Sequence, residues 1–170
     1  MYAVQEQWNQ VQSNMKPIRR YNATLRNLEY RLRAFREQLP LYLEDAIRSK
    51  EDVIVSAIAN DQLFRRGVNG QDIKIMEYRP YAPSTILKKR RKGQPYTRVT
   101  LRDTGAFHEA MHLVVDPEGF YITSDDYKRP FLAKRYGNSI FRLTDRNFTR
   151  IVRGHIRKEL VKQIKKATRQ

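Results

Sequence analysis

The sequence predicts an α+β fold with N-terminal helices, a small antiparallel β-sheet and a long C-terminal amphipathic helix. Three observations support this prediction. Apolar residues recur at helical spacing in two stretches before residue 67, two short β-prone segments flank Asp116-Pro117-Glu118-Gly119, and an apolar row at i, i+4 spacing runs through the last 25 residues. A chain of 170 residues is long enough to bury a core around these elements.

The first two predicted helices are separated by a proline. Helix 22–38 is capped by Asn22 or Thr24, and Pro40 suits the first turn of a second helix that ends near Gly67. We expect the apolar stripes of both helices to pack into the core. These stripes are Leu25, Leu28, Leu32 and Phe35 in the first helix, and Leu43, Ile47, Ile54, Ile58 and Leu63 in the second.

Residues 1–21 form an N-terminal extension, which we expect to become ordered only in an assembly, and residues 22–170 form a single α+β domain. Prolines 80, 83 and 95 exclude a long helix from the middle of the chain. Ser84-Thr85 can start a short basic helix that ends at Gly93.

The sheet is predicted around residues 99–124. Val99 and Leu101 are predicted to form a strand, and residues 104–111 one or two helical turns. A hairpin closed by a type I turn is predicted for His112–Asp116 and Phe120–Ser124. The last helix spans about 145–167 and is capped by Thr144 or Asp145. Its apolar row is Phe148, Val152, Ile156, Leu160 and Ile164.

The positive charge is unevenly distributed. The net charge is +16, and all of this excess falls in residues 79–102 and 146–170, because the remaining residues are balanced. Patches of one sign attract partners of the opposite sign, so we expect contact with a polyanion or an acidic protein. The candidate contact residues are Lys88, Lys89, Arg90, Arg91, Lys92, Arg98, Arg102, Arg153, Arg157, Lys158, Lys162, Lys165 and Lys166.

The run from Lys88 to Lys92 has three possible explanations. It contacts nucleic acid, touches an acidic protein surface, or is simply solvated in a loop. Tyr78, Tyr81 and Tyr96 flank the run, and aromatic rings beside basic residues can stack on bases.

His108-Glu109-Ala110-Met111-His112 matches the zinc-hydrolase pattern H-E-x-x-H. That chemistry needs both histidines on one stable helix and a third protein ligand. The chain is predicted to turn to strand directly after His112, and no third ligand follows at a suitable spacing. We therefore interpret the pattern as a chance match with surface histidines, and a zinc hydrolase is the least favoured alternative.

Asp103-Thr104-Gly105 matches the aspartic-protease pattern D-T-G. The neighbouring Arg102 is expected to lower the pKa of Asp103, whereas such an enzyme needs an aspartate that shares a proton. A structural role is simpler: Asp103 or Thr104 caps a short helix, and Gly105 allows a tight approach. With no cysteine and no glycine-rich phosphate loop, we expect a non-enzymatic protein without a cofactor.

Several motifs together resemble one family. They are Tyr81-Ala82-Pro83-Ser84-Thr85, the Lys/Arg run, Gly93-Gln94-Pro95, and Val99-Thr100-Leu101-Arg102-Asp103-Thr104-Gly105-Ala106-Phe107. This set is similar to the tail-completion and head–tail joining proteins of tailed bacteriophages, the neck and virion morphogenesis families. Later parts of the same pattern are resembled by Phe120–Ser124 and by Lys134–Gly137 together with Ile140–Thr144.

The resemblance implies a structural virion protein at the portal–tail junction, made in the host cytoplasm, that forms a homo-oligomeric ring around the DNA channel. It implies portal and tail proteins as partners, with sequence-independent contact to genomic DNA and no membrane. Pro83, Thr85, Asp103, Thr104 and Gly105 are then a fold fingerprint rather than a reaction centre. The competing class is a basic nucleic-acid-binding module without a virion role.

Overall fold

The computed structural model describes the backbone of residues 16–168 and the side chains of residues 24–166. It confirms the α+β class. The chain divides between Leu41 and Tyr42 into two compact units. Residues 1–15, which make up most of the predicted N-terminal extension, lie outside the described part.

The first helix is longer than predicted. Helix α1 spans Lys16–Arg48 and contains Pro40 in its interior, so the predicted helix boundary at Pro40 is wrong. A proline removes one backbone hydrogen bond, and good helix formers on both sides can carry the helix through it. Asn22 and Thr24 lie inside α1 and are not its caps. Leu25, Leu28 and Leu32 are about half exposed, so the predicted core packing of this stripe is also wrong.

The next helical segment supplies much of the core. Helix α2 spans Glu51–Ser56 and continues as a π-helix over Ala57–Arg66, which ends at Gly67 with φ +64°. Ile54, Ile58 and Leu63 are fully buried, as the second stripe predicted. Leu43, the first residue of that stripe, is instead exposed.

A buried glutamine joins this π-helix to the start of the last helical region. The Gln62 side chain donates through Nε2 to the Arg142 carbonyl at 3.0 Å, and its Oε1 accepts from the Thr144 amide at 2.8 Å and from Asn147 Nδ2 at 3.1 Å. Gln62 and Asn147 are almost completely buried. These bonds satisfy polar groups that would otherwise be costly to bury.

The predicted hairpin is confirmed. Strand β1, Met111–Asp116, pairs antiparallel with β2, Gly119–Ser124, with Leu113 opposite Ile122. Asp116 Oδ1 accepts from the Glu118 and Gly119 amides, both at 2.9 Å, and so fixes the turn. On the other side of β1, the Leu113 amide donates to Glu51 Oε1 at 2.9 Å.

The strand predicted at Val99 and Leu101 is wrong, because the sheet found in residues 16–168 contains β1 and β2 alone. Both residues are buried, and Leu101 has φ +50°, which no regular strand adopts. The predicted short helices are present, as α4, Pro83–Arg91, and α5, Ala106–Glu109. Helix α3, Ile75–Tyr78, helix α6, Arg129–Tyr136, and a 3₁₀ turn, Asn138–Phe141, complete the middle of the chain.

The C-terminal helical region is confirmed, with one irregularity. Helix α7, Asp145–Ile151, passes through a π-helical turn, Val152–Ile156, into helix α8, Arg157–Thr168. Thr144 Oγ1 accepts from the Asn147 amide at 3.3 Å and is the predicted cap. Ile151 and Ile156 are buried. Among the helices of residues 16–168, none is both long and apolar enough to cross a membrane.

Candidate functional site

Residues from three of the resemblance motifs line one cavity of about 300 Å³. It lies where α4, the 101–105 segment and α6 meet. Its apolar walls come from Tyr81, Leu101, Phe107, Leu132 and Tyr136. Its polar lining is formed by Thr85, Lys88, Lys89, Lys92, Arg102, Asp103, Thr104, Gly105 and Lys128, and we call the whole the α4 cavity. Pro83, another fingerprint residue, begins α4, a position that its fixed φ favours.

Lys89 is the buried centre of this region. Only 6% of the surface of this residue is exposed to solvent. Nζ donates to the Arg102 carbonyl at 2.6 Å and to Gln94 Oε1 at 3.3 Å, and it lies 5.2 Å from the centre of the Tyr81 ring. Burying an ammonium group is tolerated only with such partners. Lys89, which was predicted to contact an external partner, is thus engaged within the chain.

Asp103 is neutralised from within the chain. Its Oδ1 lies 2.6 Å from Lys92 Nζ, and its carbonyl accepts from Gln94 Nε2 at 2.7 Å. The hydrogen bond from Lys92 holds the pKa of Asp103 below its ordinary value. The predicted lowering of the Asp103 pKa is confirmed. Its main cause is Lys92, whereas the prediction named Arg102. The Asp103–Lys92 pair makes a structural link between α4 and the 101–105 segment.

The Tyr81 hydroxyl holds the backbone next to Asp103. It accepts from the Thr100 amide at 2.9 Å and from the Leu101 amide at 3.3 Å. Tyr81 is buried, so its predicted availability for base stacking is wrong. This anchoring role explains why the 99–101 segment is ordered without being a strand. Apart from the tyrosine in the resemblance motif, nothing in the sequence indicates this role.

The other two flanking tyrosines are also engaged within the chain. The Tyr78 hydroxyl donates to the Tyr136 carbonyl at 3.1 Å. The Arg90 guanidinium lies 5.6 Å from the centre of the Tyr96 ring, and Tyr96 is half-buried. These rings stabilise the chain around α4.

Gly105 and Thr104 shape the start of α5. Gly105 is its N-cap residue with φ +109°, and a Cβ there would lie 2.7 Å from Glu109 Oε1. Thr104 Oγ1 accepts from the Ala106 amide at 3.4 Å. The predicted tight approach at Gly105 is confirmed. The predicted cap by Asp103 or Thr104 is wrong, because Gly105 occupies the cap position and no side chain caps it.

The remaining cations of α4 face outwards. Lys88, Arg90 and Arg91 are exposed, and we call these three the α4 basic face. Lys88–Arg91 are therefore helical, with Lys89 buried and the other three exposed, and the ion-paired Lys92 follows α4 directly. Such an ordered array presents positive charge with less entropy to lose on binding than a mobile loop.

Arg98 and Arg102 connect this region to the π-helix. Arg98 Nε donates to the Phe64 carbonyl at 2.8 Å, and the Arg102 guanidinium lies 4.9 Å from the centre of the Phe64 ring. Both arginines are partly buried. Their observed contacts are structural, although Arg102 also lines a larger cavity of about 760 Å³ with Asp52, Asp61 and Arg150.

The predicted C-terminal contact residues form a second, separate group. They are exposed, and Lys162 lies 3.6 Å from Glu159. Four of them line a separate cavity with Val161, and none of them lines the α4 cavity. The exposed residues of this group are Arg153, Arg157, Lys158, Lys162, Lys165 and Lys166.

The two histidines of the H-E-x-x-H pattern occupy different elements. His108 lies in α5, which ends at Glu109, and His112 lies in β1, so they are not one turn apart on a helix. His112 Nδ1 lies 3.5 Å from Asp125 Oδ2. Among the residues that the structure describes, no three His, Asp or Glu side chains are placed to share a metal ion.

His108 is buried, and the prediction of a surface histidine is wrong. Neither of its ring nitrogens makes a hydrogen bond of normal geometry within residues 24–166, although the Thr100 backbone lies close enough to oppose part of the pKa shift. Burial lowers the pKa of His108 to about 4, with Arg102 and Lys89 adding to the effect through their positive charge. His108 is therefore a neutral core residue at neutral pH.

Comparison with protein-family models, with curated proteins and with solved structures found no match.

Proposed function

We propose that this chain is a structural protein of the bacteriophage portal–tail junction, where it forms a closed ring and uses the α4 basic face to contact an acidic surface. The observation that carries the proposal is the convergence of the resemblance motifs on the α4 cavity. Tyr81, Lys89 and Lys92, from the first part of the motif set, bind Asp103 or the backbone of residues 100–102, from its second part.

This convergence supports a fold fingerprint rather than a reaction centre. Asp103 is paired with Lys92, and Lys89 is satisfied by the Arg102 carbonyl. The hydrogen bond from Lys92 favours the charged form of Asp103, and the Lys89 ammonium already donates two hydrogen bonds within the chain. A motif set that builds a scaffold is what the resemblance to head–tail joining proteins implies.

The α4 basic face supplies the contact surface. Lys88, Arg90 and Arg91 are exposed, adjacent and carried on a helix. In a ring, an inward face would meet the DNA backbone, and an outward face would meet acidic portal or tail proteins. The exposed cations of α7 and α8 provide a second basic surface for the same assembly.

The test uses the purified full chain in negative-stain electron microscopy and a DNA-binding titration at several salt concentrations. We expect ring-shaped particles and weak binding to duplex DNA. Tight, salt-steep binding by a monomer would contradict the proposal and would favour the nucleic-acid-binding module.

A triple variant locates the DNA contact. If the α4 basic face meets duplex DNA, Lys88→Ala/Arg90→Ala/Arg91→Ala should reduce the salt slope of log K by roughly 3. The matched control, Arg65→Ala/Lys74→Ala/Lys134→Ala, removes the same charge from exposed positions on other elements and should leave the slope closer to that of the unmodified chain. Equal slopes for the two variants would show that the α4 basic face does not contact DNA. An acidic protein surface would then be the expected partner of this face.

A further inference from the structure

Helix α1 carries an apolar stripe whose four leucines are exposed. Leu25, Leu28, Leu32, Phe35 and Leu39 follow one another at alternating steps of three and four residues, and we call them the α1 seam. The four leucines are between 37% and 58% exposed. A continuous apolar stripe of this length on an exposed helix marks an interaction surface.

The spacing of the seam identifies the kind of contact. Steps of three and four average 3.5 residues, which is the period of a coiled coil rather than of a helix packed on a globular core. In heptad terms, Leu25, Leu32 and Leu39 occupy a positions, and Leu28 and Phe35 occupy d positions. The flanking e positions hold Glu29 and Arg36, and the g positions hold Arg31 and Gln38.

The flanking charges select the orientation of a second copy. In a parallel pair, a g residue faces the e residue five positions later on the other helix, so Arg31 would face Arg36. In an antiparallel pair, e faces e and g faces g. When Leu28 lies opposite Leu39 of the second copy, Glu29 faces Arg36 of that copy, and the two-fold symmetry repeats this ion pair.

The same charges select one antiparallel register. A shift of one heptad in one direction places Glu29 opposite Glu29 and Arg31 opposite Arg31, and a shift in the other direction places Arg36 opposite Arg36. Both shifts bring like charges together. Within a single copy, Glu29 already accepts from Arg33 at 3.2 Å, but a carboxylate has acceptor sites for more than one arginine.

We propose that α1 pairs with α1 of a second copy in an antiparallel two-stranded coiled coil, with Leu28 opposite Leu39 and Glu29 opposite Arg36. This contact is isologous and closes at two copies, so it differs from the heterologous contact of a ring. The inference does not depend on the proposed function.

The first test measures the mass of the full chain by sedimentation equilibrium. We expect the unmodified chain to have twice the mass of the Leu28→Glu/Leu32→Glu variant, whichever oligomer the rest of the chain forms. Because these leucines are exposed in the single chain, circular dichroism should show that the remaining fold of the variant is intact. Equal masses for the unmodified chain and the variant would overturn the proposal.

A charge exchange tests the register without removing apolar surface. Glu29→Arg and Arg36→Glu should each raise the dissociation constant by about tenfold, because each turns two attractive pairs into two repulsive ones. The double variant, Glu29→Arg/Arg36→Glu, should recover most of the affinity. Glu37→Arg, at an outward f position, is the matched control and should leave the dimer unchanged. Failure of the double variant to recover would contradict the register.

Cysteine cross-linking tests the orientation, and the chain has no natural cysteine to interfere. A mixture of Leu28→Cys and Leu39→Cys chains should form a mixed disulfide-linked dimer. Leu28→Cys alone should not, because an antiparallel pair separates its two cysteines by about 16 Å along the axis. Efficient cross-linking of Leu28→Cys alone would show a parallel pair and overturn the proposal.

Discussion

The Lys89 ammonium lies 2.6 Å from the Arg102 carbonyl oxygen. Lys89 belongs to a run of five basic residues, and the other four are exposed. The bond joins α4 to the segment that carries Asp103 and Gly105. One lysine of the run therefore holds the fold together, while Lys88 beside it is available for a partner.

Alanine substitutions of Lys89 and Lys88 should affect the stability of the fold very differently. Lys89→Ala should lower the free energy of unfolding by about 2 kcal/mol, because it leaves the Arg102 carbonyl without its donor and removes a packed side chain. Lys88→Ala is the matched control and should change it by no more than about 0.5 kcal/mol. Urea denaturation of both variants measures the difference, and equal stabilities would show that the buried lysine contributes nothing.

His108 should make stability depend on pH. Its pKa is lowered to about 4 in the folded chain by burial, whereas an unfolded histidine titrates near 6.5. The unfolded state therefore takes up a proton first as pH falls. The contribution of His108 is fully present above pH 6.5 and is lost progressively as pH falls towards 4, by about 3 kcal/mol in total.

Denaturation midpoints at a series of pH values between 7 and 4 measure this effect. His108→Phe keeps an apolar ring in the same space and should flatten the profile in that range. His112→Phe is the matched control on a half-exposed histidine and should retain the slope of the unmodified chain. A His108→Phe profile as steep as that of the unmodified chain would contradict the assignment.

Two glycines should respond to alanine in opposite ways. A Cβ at Gly70 would lie 2.5 Å from the Arg142 Cβ and 2.6 Å from the Arg142 carbonyl oxygen, so Gly70→Ala must displace backbone. We expect a loss of about 2 kcal/mol in unfolding free energy. At Gly154, in the last helical region, a Cβ would meet nothing within 4 Å, so Gly154→Ala should stabilise the chain by about 0.5 to 1 kcal/mol. Thermal unfolding of the two variants distinguishes these effects by sign.

Removing the Tyr81 hydroxyl should also be costly. Tyr81→Phe leaves the Thr100 and Leu101 amides without their common acceptor, and both residues are buried. We expect a loss of about 2 kcal/mol, measured by urea denaturation. Tyr127→Phe is the matched control, since Tyr127 is 75% exposed and should tolerate the change. A Tyr81→Phe variant as stable as the control would remove the anchoring role of this hydroxyl.

The elements that follow local rules could be predicted from the sequence. The β-hairpin follows from Asp116 and Gly119 at the ends of its turn, and the Thr144 cap follows from a hydroxyl before a helical apolar row. In both cases the stabilising bond joins residues within three positions of each other. Local chemistry is therefore sufficient, and the structure agrees with it.

Features that depend on distant partners could not be predicted. Lys89 is buried because Gln94 and the Arg102 carbonyl surround its ammonium, and the sequence does not show that these groups converge. The segment at Val99 alternates like a strand, but Tyr81 supplies the acceptor that a neighbouring strand would have provided. At Pro40 the local rule itself failed. A proline usually ends a helix, but α1 continues through Pro40.

The bond from the Leu113 amide to the Glu51 carboxylate has a consequence for aggregation. A bare strand edge can template the addition of another chain, and an inward-pointing charge discourages this. Here a carboxylate from α2 occupies the donor that an incoming strand would need first. A strand that adds to this side of β1 therefore has to displace the Glu51 carboxylate, so the N-terminal end of α2 protects this edge against fibril-like growth.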